Sequence, residues 1–344
     1  MPTERSAAPC GRTGSSPTAP AAAVSGPTEE AMTTRLDVSV LICTRDRSAL
    51  VEGCLDSVLA CSPAPVEVVV VDQSRDQATR QAVDRRQGAA VPVRYVRGIG
   101  HGLSRAKNQG VPECAGAIIA FTDDDCLADP RWVEALAGPI VSGRAGAVVG
   151  RTLPEKAVGG REDTTSVYAP EGSPVFSRRT HPWRVGGGGN FGAARDVLRR
   201  TGPFDERFGP GAPLESAEDM DMNHRLLRAG ERIVFAPDAV IRHRSWRSSS
   251  QNRRLSRAYG IGAGGYFAKH FLAGDWISGW RFAARLGIRT VHLLRAIPRG
   301  DRRGMAEQAI YLIALFEGAG RFLLGTRSAP GRVTDLERGE EARS

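Results

Sequence analysis

The sequence of 344 residues has no continuous run of 18 apolar residues, so no transmembrane helix is expected. Its amino-terminal stretch has no continuous apolar segment of the kind that a secretory signal requires, so we expect no signal peptide. The six cysteines form no Cys-x-x-Cys pair, and several lie in apolar runs, which favours buried, reduced thiols. These absences together favour a cytoplasmic protein.

Acidic residues are almost missing from residues 241–300. This stretch has twelve Arg or Lys residues and a single acid, Asp275, which predicts an anionic partner such as nucleic acid, a membrane surface or a phosphorylated ligand. Aromatic residues make up only 6% of the chain, and no nucleic-acid-binding motif is present, so we expect no nucleic acid partner.

Three regions differ in composition. Residues 1–34 are rich in Pro, Ala, Ser, Thr and Gly and have no periodic apolar pattern, which predicts a disordered tail. Residues 35–245 alternate apolar runs with helical patterns and predict an α/β domain. Residues 246–344 are expected to form a basic, amphipathic helical region, after a flexible loop that begins near residue 244.

Apolar runs at 38–43, 66–72, 91–96 and 116–121 are typical of strands buried on both faces, and the intervening helical patterns predict a parallel sheet. Ligands bind such sheets beyond the carboxyl ends of the strands. Residues 44–47, Asp72 and the acids at 123–125 all follow strands, so we expect them to converge in space. Residues 232–243 predict two further short strands, and residues 151–182 a long loop.

Three consecutive carboxylates, Asp123–Asp125, are unfavourable together unless a cation or solvent compensates their charge. Carboxylates one residue apart at a strand end can share a hard divalent ion and leave positions for a ligand's phosphate oxygens. The alternative is a solvated turn in which Asp129 caps the next helix. We favour the metal–diphosphate interpretation, since one cap does not explain three acids.

Two glycine-rich segments predict close approach of a ligand or of another backbone. The first, residues 98–110, leads into a helix from Ser104 that carries Arg105, Lys107 and Asn108, and cations at a helix start suit a diphosphate. A surface helix with a solvated Lys107 remains the alternative. The second segment, residues 186–194, includes Gly189 and Asn190; a flexible linker is the alternative.

A second group of acids, Glu218, Asp219 and Asp221, occupies the first turn of a predicted helix that ends near Gly230. Favourable interaction with the helix dipole explains Glu218 and Asp221, whereas Asp219 is the acid that we expect in the cleft. His243 follows a predicted strand and is either a structural histidine or a ligand of the metal or diphosphate.

Residues 276–297 form the most amphipathic helical pattern of the chain. Arginines at 281, 285, 289 and 295 fall on one side, beside an apolar stripe that contains Trp276 and Trp280. This arrangement suits a helix lying on an anionic membrane surface. Packing of the same helix on its own domain, with a solvated face, is the alternative.

The ordered set of motifs resembles glycosyltransferase family 2, whose members are inverting enzymes of the GT-A fold that use nucleotide-sugar donors. The resemblance covers about residues 36–245 and rests on the segments VSVLICTRDR, VEVVVVDQS, GLSRAKNQG, FTDDD, GGGGNFGAAR, FDERFG, AEDMDMNHRLLRAG and VIRH. Ala217 stands where the family often has Gly.

The resemblance implies roles for individual residues. Thr44, Arg45 and Asp72 would bind the base and ribose of the donor, with Arg105, Asn108, Asp123 and Asp124 at the nucleotide sugar. Asp123 and Asp125 would hold Mn²⁺ or Mg²⁺ together with His243, and Asp219 would be the catalytic base. The residues expected on the acceptor side are Gly189, Asn190 and Glu218.

The expected function is therefore a metal-dependent, inverting transfer of a sugar to a hydroxyl acceptor in a cell-surface or lipid-linked glycan, by a cytoplasmic protein at the inner face of the membrane. A nucleotidyltransferase is one alternative, but it would need a glycine-rich loop after the first strand, which residues 44–47 lack. A glycosyltransferase-like binding module without turnover is the other alternative.

Overall fold

The computed structural model describes residues 35–155, 167–244 and 249–325. The predicted tail at 1–34 lies outside these ranges. So do residues 156–166 of the predicted long loop and residues 245–248 of the predicted basic loop.

In the described ranges, nine strands form one sheet. Their bounds are β1 (Leu36–Thr44), β2 (Pro65–Asp72), β3 (Val93–Arg97), β4 (Ile118–Asp123), β5 (Cys126–Ala128), β6 (Ala147–Pro154), β7 (Val175–Phe176), β8 (Asn190–Ala194) and β9 (Ile233–His243).

The same ranges contain nine α-helices and two short 3₁₀ turns. The helices are α1 (Ser48–Leu59), α2 (Ala78–Asp84), α3 (Leu103–Gly110), α4 (Trp132–Val141), α5 (Arg195–Thr201), α6 (Glu218–Arg228), α7 (Ser249–Leu272), α8 (Trp276–Ala296) and α9 (Arg302–Leu323).

The strand order is β3-β2-β1-β4-β8-β6-β9-β5, with β7 paired to β9. Strands β1 to β4 are parallel, as the sequence predicts, but β8 runs antiparallel to both of its neighbours. The sheet is therefore mixed. Residues 233–243 form one long strand rather than two short ones, with a register irregularity opposite Gly150 and Arg151.

Both faces of the sheet are covered, which explains the continuous apolar runs of β1 and β2. On one face, alternate residues of β1 such as Val40 pack against α1 and α4. On the other face, Leu41 and Val69 pack against α3, α5 and α6. Among the described residues all five cysteines are buried and unpaired, as expected.

Helices α7 and α9 form a third apolar cluster with the loop that precedes α6, in which Phe208, Leu214, Ile261 and Leu315 are buried. The orientation of α8 differs from the prediction. Its arginine side faces the protein: Arg281 is buried, and Arg285 donates a hydrogen bond to Tyr311 of α9 at 3.0 Å.

The apolar side of α8 faces outward, with Trp276 and Trp280 each more than 70% exposed. Arg289 also contacts α9, through Gln308, whereas Arg295 is exposed. Three of the four arginines therefore face the protein, and the expected arginine face toward an anionic surface is not present as a whole. None of the helices in the described ranges is long and apolar enough to cross a membrane.

Candidate active site

Three strand ends meet at one edge of the sheet. Register pairs Thr44 at the end of β1 with Asp72 at the end of β2, and Cys43 with Asp123 at the end of β4. Because these neighbouring parallel strands end at the same edge of the sheet, their last residues lie close together. The convergence predicted from the sequence is therefore present.

The three acids at the end of β4 point into different surroundings. Asp124 is buried and accepts a hydrogen bond of 2.6 Å from the Thr44 hydroxyl. Arg47 bridges Asp124 and Asp125, at 3.2 Å from the first carboxylate and 3.3 Å from the second. The imidazole of His243 lies 3.6 Å from the other oxygen of Asp125, so β9 also reaches the cluster.

The electrostatics of this cluster show an excess of negative charge. Burial, and then the charge of Asp125, raise the pKa of Asp123 above its ordinary value. Burial raises the pKa of Asp124 to about 7, against the opposing effects of Arg47 and Thr44. A divalent cation would relieve this excess.

The donor set fits such a cation. Single ligand atoms of Asp123, Asp125 and Cys126 all lie within 4.8 Å of one another. The Cys126 thiol is an unsuitable third ligand for a hard ion, because burial and then the charge of Asp123 raise its pKa well above the ordinary value. The two carboxylates are the oxygen ligands that Mn²⁺ and Mg²⁺ prefer.

A cavity of about 260 Å³ opens beside the acids. It is lined by residues after β1 (Thr44, Arg45, Arg47), by Gln73, by the start of α3, by the three acids, and by Pro210 and Gly211. A larger groove of about 970 Å³ lies at the opposite edge of the sheet, near Asp37 and Ala117. Its lining is mostly apolar, so we take the smaller cavity as the candidate site.

The second group of acids begins α6. Glu218 is buried, with an oxygen 3.6 Å from the amino group of Lys107. Burial raises the pKa of Glu218 to about 7; Lys107 opposes this shift and the charge of Asp219 adds to it. Asp219 is only half-buried and accepts hydrogen bonds from the backbone of Gly188 at 3.1 Å and Met220 at 2.7 Å.

The glycines at 187–189 connect the two groups of acids. A side chain built at Gly187 would touch the Asp219 carboxylate, and one at Gly188 would crowd both Lys107 and Asp219. A side chain at Gly189 would overlap the Asp123 carboxylate. In the structure, the side chains of the site itself therefore approach these glycines.

Lys107 is not the solvated surface residue of the alternative interpretation. It is 3% exposed, and its amino group lies over the rings of Phe204 and Phe121 at 5.2 and 6.0 Å. Burial lowers its pKa, but the charges of Glu218 and Asp123 outweigh this, so the pKa is raised and the amine stays charged. The sequence placed it on the correct helix but could not show its direction.

Other predicted residues lie away from the cavity. Asn190 is buried in the sheet; it accepts from the Trp132 indole at 2.8 Å and donates to the carbonyls of Arg151 and Ala239 at 3.0 and 2.9 Å. These bonds occupy its amide. We therefore leave Asn190 out of the acceptor side of the proposed site.

Asn108 and Arg105 both hold the loop after α5. The Asn108 amide pairs with the backbone of Phe204 in both directions, at 2.9 and 2.8 Å, and Arg105 forms an ion pair with Glu206 at 2.8 Å. Neither lines the 260 Å³ cavity. We accordingly assign them to positioning this loop and not to contact with a donor.

Asp72 is fully buried beneath the strand ends. It accepts hydrogen bonds from the Ser74 amide at 2.8 Å and the Tyr95 hydroxyl at 3.0 Å, whereas its neighbour Gln73 lines the cavity. Asp129 does not cap α4: its carboxylate pairs with Arg242, while only its carbonyl meets the start of the helix. Sequence patterns could not distinguish these partners.

Comparison with known proteins agrees with this architecture. The family profile described as glycosyl transferase family 2 matches residues 39–202. The chain is 24% identical over 221 residues to the glucosyl-dolichyl phosphate glucuronosyltransferase of Haloferax volcanii, covering 61% of this chain and 69% of that protein. It is 27% identical over 209 residues to glycosyltransferase AglE of the same organism, covering 59% of this chain and 65% of that protein.

Among solved structures, the mannosyltransferase PcManGT from Pyrobaculum calidifontis, in complex with GDP-Man and Mn²⁺, is similar with a TM-score of 0.56. At 21% identity, the likeness covers 85% of this chain and 88% of that one. The fold is thus of the GT-A type. The match of residues 39–202 to glycosyl transferase family 2, together with the two relatives named above, indicates a glycosyltransferase.

Proposed function

We propose that this chain transfers a sugar from a nucleotide-sugar donor to a hydroxyl acceptor, with inversion at the anomeric carbon and with Mn²⁺ or Mg²⁺ as cofactor. One observation carries the proposal. The glycines at 187–189 lie between Asp123, on the side of the cavity, and Asp219, on the side of α6. A donor held at the first acid therefore has a carboxylate available on the other side of its sugar.

The donor side of the proposal uses the 260 Å³ cavity. We assign Thr44 and Arg45 to the nucleoside, with Asp72 supporting the strand end from below. Asp123 and Asp125, together with His243, would hold the cation, and Asp124 would orient the cluster through its bond to Thr44. When bound, the cation would neutralise negative charge on the leaving nucleoside diphosphate.

The acceptor side uses the first turn of α6. Asp219 accepts the proton of the acceptor hydroxyl, whose oxygen bonds to the anomeric carbon as the bond to the diphosphate oxygen breaks. Attack from the face opposite the leaving group inverts the configuration in one displacement, and no covalent enzyme intermediate forms. Glu218 and Gly189 would border the acceptor, and charged Lys107 would balance the carboxylates around it.

A thermal-shift screen tests the donor site. UDP-, GDP-, dTDP- and CMP-sugars would be added with and without Mn²⁺ to wild type, to Asp125→Asn and to the exposed-acid control Asp84→Asn. At a ligand concentration 100 times Kd, the free energy of unfolding should rise by about 2.7 kcal/mol. We expect this rise for one nucleotide, only with metal, in wild type and in the control.

Other outcomes would favour the alternatives. A response to a nucleotide with no release of nucleoside diphosphate in the presence of any acceptor would favour a binding module without turnover. The same response in Asp125→Asn as in wild type would contradict a cation site at the acids.

We also propose that the acceptor is a lipid-linked or cell-surface glycan and that the protein is cytoplasmic and peripheral to the membrane. One relative is named for action on a glucosyl-dolichyl phosphate. The exposed side of α8 carries Trp276, Ile277, Trp280 and Leu294, each more than half exposed. Trp side chains favour the boundary between water and lipid, so this apolar side suits an interfacial helix.

Sedimentation with phosphatidylglycerol vesicles tests the membrane contact. Replacing Trp276 and Trp280 together by Ser should remove most of the binding, whereas Val141→Ser, a matched exposed apolar residue on α4, should not. Equal binding of the two variants would contradict this contact. We further propose that the glycosyltransferase domain ends at residue 245 and that residues 246–344 form the region that contacts the membrane.

A further inference from the structure

Lys269, near the end of α7, joins two acids from separate parts of the chain. Its amino group lies 2.6 Å from an oxygen of Asp221 in α6 and 2.8 Å from an oxygen of Asp205 in the loop after α5. It also lies over the ring of Phe208, 5.4 Å from the centroid. One side chain thus ties the helix that begins with the catalytic candidates to a preceding loop.

Interaction with the helix dipole, which the sequence suggests for Asp221, does not describe its whole environment. Its side chain is 0% exposed, and it also receives hydrogen bonds of 2.9 Å from His270 and 2.9 Å from Arg225. Burial acts to raise its pKa, but the bond from His270 and the charge of Lys269 outweigh it, so the pKa lies well below the ordinary value. A buried carboxylate that has two cationic partners, Lys269 and Arg225, and a hydrogen bond from His270 is costly to disturb.

The backbone in front of α6 is held in an unfavourable conformation. Glu215 and Ala217 have φ angles of 57° and 71°, in the left-handed region that residues with a side chain seldom adopt. Helix α7 packs on this segment: the Ser216 hydroxyl donates to the Ala258 carbonyl at 2.9 Å, and Arg257 pairs with Glu215. Such strain persists only where surrounding contacts enforce it.

We propose that Lys269 is a positioning residue for the reaction: by clamping Asp221 and Asp205, it fixes the first turn of α6 and therefore the place of Asp219. This inference rests on the proposed function of Asp219 as the base. It also extends the functional unit beyond the family match, which ends at residue 202, into α7. The donor cavity does not include Lys269, so donor binding should be independent of it.

The test compares Lys269→Met, Lys269→Arg and the control Arg85→Met, which removes an exposed ion pair with Glu52. Three quantities are measured in each: hydrogen exchange of the amides at 215–222, Kd for UDP and GDP with Mn²⁺, and release of nucleoside diphosphate from UDP-glucose and GDP-mannose. Because displacement of about 1 Å can cost about a hundredfold in rate, we expect Lys269→Met to lose at least about tenfold in turnover.

In Lys269→Met, exchange at 215–222 should rise while nucleotide Kd stays within about twofold of wild type, and Lys269→Arg should restore turnover because it can reach both acids. Unchanged exchange and turnover in a folded Lys269→Met protein would overturn the inference. A parallel loss of nucleotide affinity would also overturn it, since that would place the effect in the donor cavity.

The experiment also distinguishes a folding defect of the variant from a failure of the proposed donor site. If Lys269→Met does not fold, Asp205→Asn removes half of the clamp and leaves the pair with Asp221; it should still raise exchange at 215–222, and no rise would overturn the inference. If wild type binds neither nucleotide, the proposed function fails at the donor site, whereas the exchange measurement still decides whether Lys269 fixes α6.

Discussion

Asp123 and Gly189 are packed so closely that a side chain at residue 189 would overlap the Asp123 carboxylate. Asp123 ends β4, and Gly189 immediately precedes β8, which pairs antiparallel with β4. The pairing of two strands therefore sets the distance between the donor-side acid and the glycine loop. The absence of a side chain at residue 189 is what allows this approach.

Gly189→Ala should accordingly damage the site more than the fold. The added methyl group must displace the Asp123 carboxylate, so we expect at least a tenfold loss of Mn²⁺-dependent nucleotide affinity in calorimetric titration. Gly187→Ala is the matched control, since its methyl group would make ordinary contact, 3.4 Å from Asp219. Equal affinities of the two variants would contradict the role of this close packing.

Thr44→Val tests the only hydroxyl that we assign to the acid cluster. It leaves the buried Asp124 carboxylate without its 2.6 Å hydrogen bond. The ion pair of the same oxygen with Arg47 remains, at 3.2 Å. A hydrogen bond to a charged group contributes about 1.5–3 kcal/mol, so the free energy of unfolding should fall by about that amount in denaturant titration. Thr44→Ser keeps the hydroxyl and should stay within about 1 kcal/mol of wild type; a loss as large as that of Thr44→Val would implicate packing of the methyl group instead.

The sequence was sufficient for the parallel strands β1 to β4 and for the edge at which they end, because buried parallel strands leave long apolar runs such as residues 66–72. It was insufficient for β8, which was not expected as a strand and whose antiparallel direction depends on long-range pairing with β4 and β6. The orientation of α8 was also missed. Its arginines fall on one side by periodicity, but only the position of α9 decides that this side faces inward.

The site shows the same division between local and long-range information. Residues at the carboxyl end of a strand, such as Thr44 and Asp123, were found because position alone places them at the cavity. Asn108 and Asn190 were expected at the ligand, but polar side chains in motif-like segments can equally satisfy buried backbone groups. Arg47 was expected at this edge as part of residues 44–47 but was given no role. Gln73 lines the cavity without having been expected there, and its location next to a strand end was the available signal.

Asn190→Ala separates a structural role from an acceptor-binding role. It removes three buried hydrogen bonds, to Trp132, Arg151 and Ala239. We expect the free energy of unfolding to fall by about 3 kcal/mol, with nucleotide affinity per folded molecule unchanged. The exposed-residue control Gln81→Ala should change stability by no more than about 0.5 kcal/mol. Weakened acceptor binding at full stability would restore Asn190 to the site.

His224 predicts an acid-sensitive fold. It is buried against His270 and Tyr266, and burial followed by the charge of His270 lowers its pKa from 6.5 to about 3. Between these values the unfolded chain binds a proton that the folded chain does not, so stability is lost as pH falls. The contribution is at most about 1.4 kcal/mol per pH unit.

Chemical denaturation from pH 7 to pH 4 measures this effect as a difference between variants, which cancels the titration of other groups. His224→Gln should show a flatter dependence than wild type below pH 6.5, and the exposed-residue control His292→Gln should follow wild type. Identical slopes for wild type and His224→Gln would mean that the buried imidazole already accepts a proton in the folded state.

Ala217→Gly tests the strained entrance to α6. Ala217 has φ = 71°, a conformation that costs a residue with a side chain about 1–2 kcal/mol and glycine almost nothing. Glycine also gives the unfolded chain more freedom, which offsets about 0.4–1 kcal/mol of this gain. The net expectation is a stabilisation of up to about 1 kcal/mol with nucleotide binding retained.

Ala229→Gly, at φ = −70° at the end of the same helix, is the control. It relieves no strain and should destabilise by about 1 kcal/mol. If Ala217→Gly is instead destabilised as much as Ala229→Gly, the surrounding contacts, and not the backbone conformation, determine the stability of this turn.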